Sequence, residues 1–460
     1  MKRKVFGFKS LLTESGWLSP AYVHVDDSGK ITLITGAVPA GELEFFNALA
    51  VPGFQNAHSH AFQYAMAGLA EKQSAATRAD DFWAWREAMY ALALSVNPDQ
   101  MEAIAAMVYS EMLRHGYTHV AEFHYLHHDK NGKRYENLSE MGERLVAAAE
   151  LAGIGITLIP ILYQKGGFGK DPSKGQRRFI TEDVDAYWNL MAASKKSTSH
   201  YVRAATGLGI HSLRAVDPED VVRFCTERPD KLPFHLHIAE QQKEVEDSLA
   251  YLGVRPVEWL LDSVPVDASY HLIHATHITD DECDRLAYSS ANVVLCPGTE
   301  GNLGDGIFPL RRFHDHGGTW SIGTDSHISL NPLEELRLLD YGQRLTSHRR
   351  NTYGTDKNGD QALTAVSMAL LTGRSAMNNH QQEFFAVGSF FDAVMFDCEA
   401  PLLGLTSEEH LISTLVYCAD ASHYLGTICG GKRVVENGKH IRAKQIHADF
   451  IKCITTLGQR

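Results

Sequence analysis

The sequence predicts an α/β fold: a (β/α)8 barrel of the TIM type carrying a small β-sandwich domain built from both termini. Three observations predict it. From about residue 50 onward, short apolar runs alternate with amphipathic helical stretches, the mark of βα units and a parallel sheet. Eight such apolar runs occur in a span of the right length for a closed barrel. The two ends of the chain carry alternating, strand-like pieces around glycine-containing turns instead. The expected division is 1–48 with 383–460 as the small β-domain and 49–382 as the barrel.

In chain order, AYVHVDDSGKITLITG reads as a hairpin turning at Asp-Ser-Gly, and VPGFQNAH as the first barrel strand. The helical pattern PDQMEAIAAMVYSEMLRHG leads into YTHVAEFHY, and LSEMGERLVAAAELAG leads into IGITLIPILY. ATGLGIH is the fourth strand, PEDVVRFCTE the helix before FHLHIAE, and YHLIHATHI the sixth strand. DDECDRLAYS precedes ANVVLCP, and TWSIGTDSH is the eighth. The tail pieces GSFFDAVMFD and GKRVVENGKHIRAKQ, the latter turning at Glu-Asn-Gly, resume the terminal β-domain. No GxGxxG loop follows any strand, which argues against an open dinucleotide-binding sheet.

A chain of 460 residues, 44% hydrophobic, can bury a large core. Its formal charge of −13 argues against nucleic acid or an anionic membrane as the main partner, because phosphate binding needs clustered Lys and Arg. An anionic substrate must then be captured by individual arginines. MKRKVFGFKSLLTESGW has a basic start without a long apolar region, so neither a signal peptide nor a transmembrane span is expected. The seven cysteines are scattered without a CxxC pair, which suits reduced thiols in a cytoplasmic protein and gives no cysteine metal site.

The 24 histidines are more informative. Residues two apart on a strand point to one side, so His58 and His60 both face the barrel interior. Taken alone, an H-x-H pair is weak. The fifth strand adds His235 and His237, with Glu240 three residues on, the sixth adds His271, His274 and His277, and the eighth ends at Asp325. Catalytic side chains of such barrels lie at the C-terminal ends of strands, so these groups are expected to converge. A mononuclear hydrolytic metal site needs three or four N/O donors, an open position for water and a separate acid/base. His58, His60, His237 and Asp325 can supply the donors, and Glu240 and His274 the proton transfers. Asp325 also suits a helix cap, since NPLEELRLL follows it. His235, His271 and His277 read as structural.

PGFQNAHSH, HLHIAE, LIHATH, VVLCPGTEGNLGDG and SIGTDS, in that order, resemble the amidohydrolase superfamily, in the branch of deaminases and chlorohydrolases. The resemblance covers nearly the whole chain. It implies one divalent metal ion, Zn2+ ahead of Fe2+, because ATGLGIHSLRAV lacks the lysine that bridges two metals in other members. The spacing His237 to Glu240 resembles that of the mononuclear deaminases, where the glutamate passes a proton to the departing nitrogen, so C–N cleavage is implied. A homodimer is implied as well.

Within that branch, Gln63, Arg86, Tyr125, His211 and Arg214 resemble the substrate contacts of enzymes that deiminate a formimino-substituted acidic amino acid. The partner implied is a small anionic substrate derived from an amino acid. Two carboxylates call for guanidinium forks, because bidentate Arg–carboxylate pairing both binds and orients. Gln63 and Tyr125 are equally suited to core hydrogen bonding, and each arginine to an exposed ion pair. An aminohydrolase of a purine, pterin or s-triazine ring is the alternative activity, and a barrel without catalysis the alternative class. His124, His127 and His128 read as a solvated loop cluster, and residues 165–178 as a mobile loop near the mouth, a candidate lid.

Overall fold

The computed structural model describes residues 4–71, 82–229, 231–353 and 360–458. Eight parallel strands follow one another around a barrel: Phe54–Ser59, Tyr117–His124, Gly155–Leu162, Leu208–Ser212, Phe234–Ile238, Tyr270–His274, Asn292–Leu295 and Thr319–Ile322. Each coincides with a predicted apolar run. The third, GITLIPIL, is buried along its whole length, as a strand covered on both faces must be.

Strands eight and one close the ring through backbone contacts rather than a full ladder. A parallel bridge joins Ser59 to Asp325, His60 N donates to Asp325 O at 3.2 Å, and Asp325 N donates to His58 O at 3.0 Å. Asn56 fastens the seam by donating to Thr324 Oγ1 at 2.7 Å and accepting from Thr324 N at 3.0 Å. Gly323 makes the approach possible, since a Cβ there would lie 2.7 Å from His58 Cβ and 2.8 Å from its backbone nitrogen.

The predicted helices form where their end signals stand. Pro98–Arg114 begins at Asn97, which forms a capping box with Gln100. Glu140–Ala152 stops at Gly153 with φ +87°, a conformation glycine reaches without cost. Asp280–Tyr288 carries a second capping box, Thr279 with Glu282.

The other sheet joins both termini. Lys4–Thr13, Ala21–Val25, Ile31–Thr35 and Glu44–Pro52 come from the start of the chain, and Ala393–Asp397, Tyr424–Cys429, Lys432–Glu436 and Lys439–His440 from its end. The junction is the antiparallel pairing of Ala393–Asp397 with Glu44–Pro52. Phe6, Phe8, Phe46 and Phe391 form the centre of this sheet's own apolar cluster. The Glu-Asn-Gly turn has positive φ at both Asn437 and Gly438, as a tight hairpin requires. Glu44–Pro52 continues through Gly53 straight into the first barrel strand, so the sheet is anchored to the element that begins the site. The helix Ala443–Leu457 returns to pack on Pro98–Arg114.

Candidate active site

His58 and His60 lie at the C-terminal end of strand one, both buried, with His60 immediately beyond the last strand residue. His237 reaches them from strand five: its Nε2 is 3.0 Å from His58 Nε2. Asp325, beyond strand eight, places Oδ1 3.5 Å from His58 Nε2 and 3.3 Å from His60 Nε2. The ligand atoms of His58, His60 and His237 lie within 4.8 Å of one another.

The hydrogen bonds at the outer edge of this cluster fix two tautomers. His60 Nδ1 lies 2.9 Å from Phe123 O, and His237 Nδ1 lies 3.0 Å from His211 O. A carbonyl can only accept, so both Nδ1 atoms carry the proton and both Nε2 lone pairs face inward. Burial holds His58 down to about 3, against the pull of Asp325, so its ring is neutral too. Asp325 is held below the ordinary carboxylate range: burial works against this, and His58, His60 and His274 outweigh it. Three neutral imidazoles and one carboxylate around one point, with partners orienting the rings from behind, are the donor chemistry of a divalent metal ion.

Glu240 and His274 stand beside this cluster. His274 Nε2 is 3.7 Å from both Glu240 Oε1 and Asp325 Oδ2, and its Nδ1 is 3.2 Å from Glu300 Oε1. Burial would lower the His274 pKa, yet the carboxylates of Glu240, Glu300 and Asp325 prevail and raise it to about 10. The turns that present these groups are strained: Ala239, His274, Ala275 and Asp325 all have φ between +48° and +72°. Such left-handed non-glycine backbone costs of order 1–3 kcal/mol per residue and persists where surrounding contacts enforce it.

A cavity opens over the cluster, lined by His60, His237, Glu240 and Asp325 on its floor and by Gln63, Arg86, Tyr125, His211 and Arg214 on its walls. Every residue singled out from the sequence as a substrate contact therefore faces one space. Gln63 Nε2 donates to Tyr125 Oη at 3.0 Å, so these two also hold each other. Arg214 is held by two carboxylates: Nη1 bonds Glu244 Oε2 at 2.7 Å, and Nη2 lies 3.5 Å from Glu240 Oε2.

Some groups escaped sequence reasoning. Glu300, inside VVLCPGTEGNLGDG, accepts from Cys296 N at 2.9 Å and from His274. Glu244, in the first turn of the helix Gln242–Leu252, is a buried counter-charge to Arg214 that the sequence did not signal. Trp85, Tyr90, Tyr163 and Phe179 supply an aromatic wall. The thiol of Cys296 joins His274 and Asp325 in a second close group, but burial and the Asp325 carboxylate push its pKa well up, which disfavours it as a donor.

One expectation is corrected. His124 and His127 are buried, not solvated: His127 Nε2 bonds Ile161 O at 2.9 Å, and the neighbouring His128 Nε2 bonds Ile180 O at 2.7 Å. Residues 165–178 lie at the mouth, where Lys165 and Gly166 line the cavity, and the end of this segment is anchored. Gln176 donates to Tyr163 Oη at 2.8 Å, and the fully buried Arg178 donates to the carbonyls of Val96 at 2.6 Å, His128 at 2.7 Å, and Ala93. Composition could not show this, because an arginine in a Gly-rich stretch reads as solvated until its carbonyl partners are known.

A closed β/α barrel with these donors at its C-terminal mouth defines the class of metal-assisted hydrolases. The chain belongs to the amidohydrolase family, whose model matches residues 49–434. It is 40% identical to formimidoylglutamate deiminase of Pseudomonas aeruginosa over 98% of this chain and 99% of that protein. It is 27% identical to 5-methylthioadenosine/S-adenosylhomocysteine deaminase of Haloarcula marismortui over 89% of this chain and 85% of that one. Among solved structures, an amidohydrolase from Brucella melitensis superposes with a TM-score of 0.91 at 38% identity, covering 99% of both chains. The chain is accordingly a hydrolase of C–N bonds, of the deiminase and deaminase kind. No helix among the described residues is long and apolar enough to cross a membrane.

Proposed function

We propose that the chain hydrolyses N-formimino-L-glutamate to N-formyl-L-glutamate and ammonia, a step of histidine degradation. The observation that carries the reading is the pairing of inward-facing metal donors with Arg86 and Arg214 in the walls of the same cavity. A dicarboxylate needs such guanidinium groups, whereas a neutral flat ring does not. The 40% identity to the deiminase over essentially both full lengths supports it further.

His58, His60, His237 and Asp325 would hold one divalent ion, Zn2+ ahead of Fe2+, since both accept this donor set. When bound, the ion would supply Lewis acidity and lower the pKa of water near it. Asp325 accepts the proton of the attacking water, and His274, held protonated by the carboxylates around it, polarises the reacting group. Glu240 delivers a proton to the formimino nitrogen as the C–N bond breaks, so water adds across that carbon and ammonia leaves. Arg214, Arg86, His211, Tyr125 and Gln63 bind and orient the two carboxylates. A homodimer in the cytoplasm is the form expected, with no nucleic-acid or membrane partner, and the seven free cysteines suit a reducing compartment.

The test is an ammonia-release screen across formimino amino acids and ring amines. N-formimino-L-glutamate should exceed guanine in kcat/KM by about a hundredfold or more, because a site built for charged groups rejects substrates lacking them. Preference for guanine, a pterin or a triazine would establish the ring-aminohydrolase alternative, which the 27% identity to an adenosine-type deaminase keeps in view.

A further inference from the structure

We propose that Glu244 is a positioning residue for the reaction, acting through Arg214 on Glu240. The proposal rests on the assignment of Glu240 as proton donor above. Glu244 lies in the first turn of the helix Gln242–Leu252, and its side chain has no exposed surface. One carboxylate oxygen, Oε2, receives both the Arg214 guanidinium at 2.7 Å and the backbone N–H of Glu240 at 3.3 Å. The other, Oε1, is buried without a hydrogen-bond partner among the described residues. Arg214 thus stands between two carboxylates, Glu244 at 2.7 Å and Glu240 at 3.5 Å, while also lining the cavity.

Two roles can be separated. Holding the Glu240 amide needs only an acceptor, which a glutamine oxygen supplies equally well. Balancing Arg214 needs a charge. Without it, the nearest carboxylate left to the guanidinium is Glu240. Arg214 then closes on Glu240 and draws it from the reacting carbon. Glu244 therefore keeps the arginine off the proton donor and turned toward the cavity. The strained φ of +49° at Ala239, the residue before Glu240, leaves that turn little freedom to compensate.

Glu244→Gln preserves shape and acceptor and removes the charge. It should keep the wild-type metal content and lower kcat about tenfold or more, as displacement of a catalytic group does. In an Arg214→Met background the same substitution should change kcat less than about twofold, since residues acting through one another are not additive. Wild-type kcat in Glu244→Gln, or its full effect in the Arg214→Met background, would overturn the proposal. If Glu244→Gln does not fold, Glu244→Asp retracts the charge by one methylene. Reduced kcat with intact metal then supports the proposal, and wild-type kcat or failure to fold assigns Glu244 a purely structural part. The wild-type screen separates the readings: if another substrate is preferred, the cycle is run on that substrate and the Glu244 result stands independently.

Discussion

His60 and His237 can face a metal because each has its outer nitrogen committed to a carbonyl, of Phe123 and His211 respectively. Glu240 has no such place in the donor set; it stands beside it. Glu240→Gln is therefore expected to retain metal and lose about 10²–10⁴ in kcat, the range for removing a general acid, and undiminished turnover would remove it from the chemistry. Arg214 read from the sequence as a cavity cation, and it lines the cavity. Its second duty was invisible there, since the pairing with Glu244 spans a strand end and a helix start. Arg214→Met leaves that carboxylate buried and unpaired, so it should raise KM for an acidic substrate and also cost about 3–5 kcal/mol in denaturant unfolding. Unchanged stability would mean the pair contributes little.

At the level of elements, strands such as GITLIPIL and NVVL were legible because strands covered on both faces are nearly continuous apolar runs. H-x-H was legible because strand periodicity alone puts two imidazoles on one side. The burial of His127 and the anchoring of Arg178 were not, because their carbonyl partners, Ile161 and Val96, are distant in the chain. The seam between strands eight and one was hidden for the same reason. Gly323 lies against His58 with no room for a methyl group. Gly323→Ala should displace His58, weaken metal affinity and cost about 1–3 kcal/mol by overpacking. Metal titration and thermal melting check this, and wild-type values in both would contradict the close approach.

At the scale of the whole molecule, many histidines among the described residues are buried, and most of these are neutral. Burial lowers His119 and His127 to about 3 and His235 to about 4. The unfolded chain binds protons at these rings near 6.5 and the folded chain does not. Their contribution is therefore complete above pH 6.5 and is lost as pH falls toward 3–4, by about 1–2 kcal/mol each at pH 5. Tm should fall between pH 7 and pH 5, and His235→Asn should shallow that fall; a flat profile would contradict the burial. The same interior brings strands one, five and eight to one mouth, and the function depends on that convergence. Metal quantification of the purified chain tests it most directly. One divalent ion per chain, lost in His237→Ala and Asp325→Ala but kept in Glu240→Gln, is the expected result. Full activity without metal, or metal retained when both His237 and Asp325 are replaced, would contradict it.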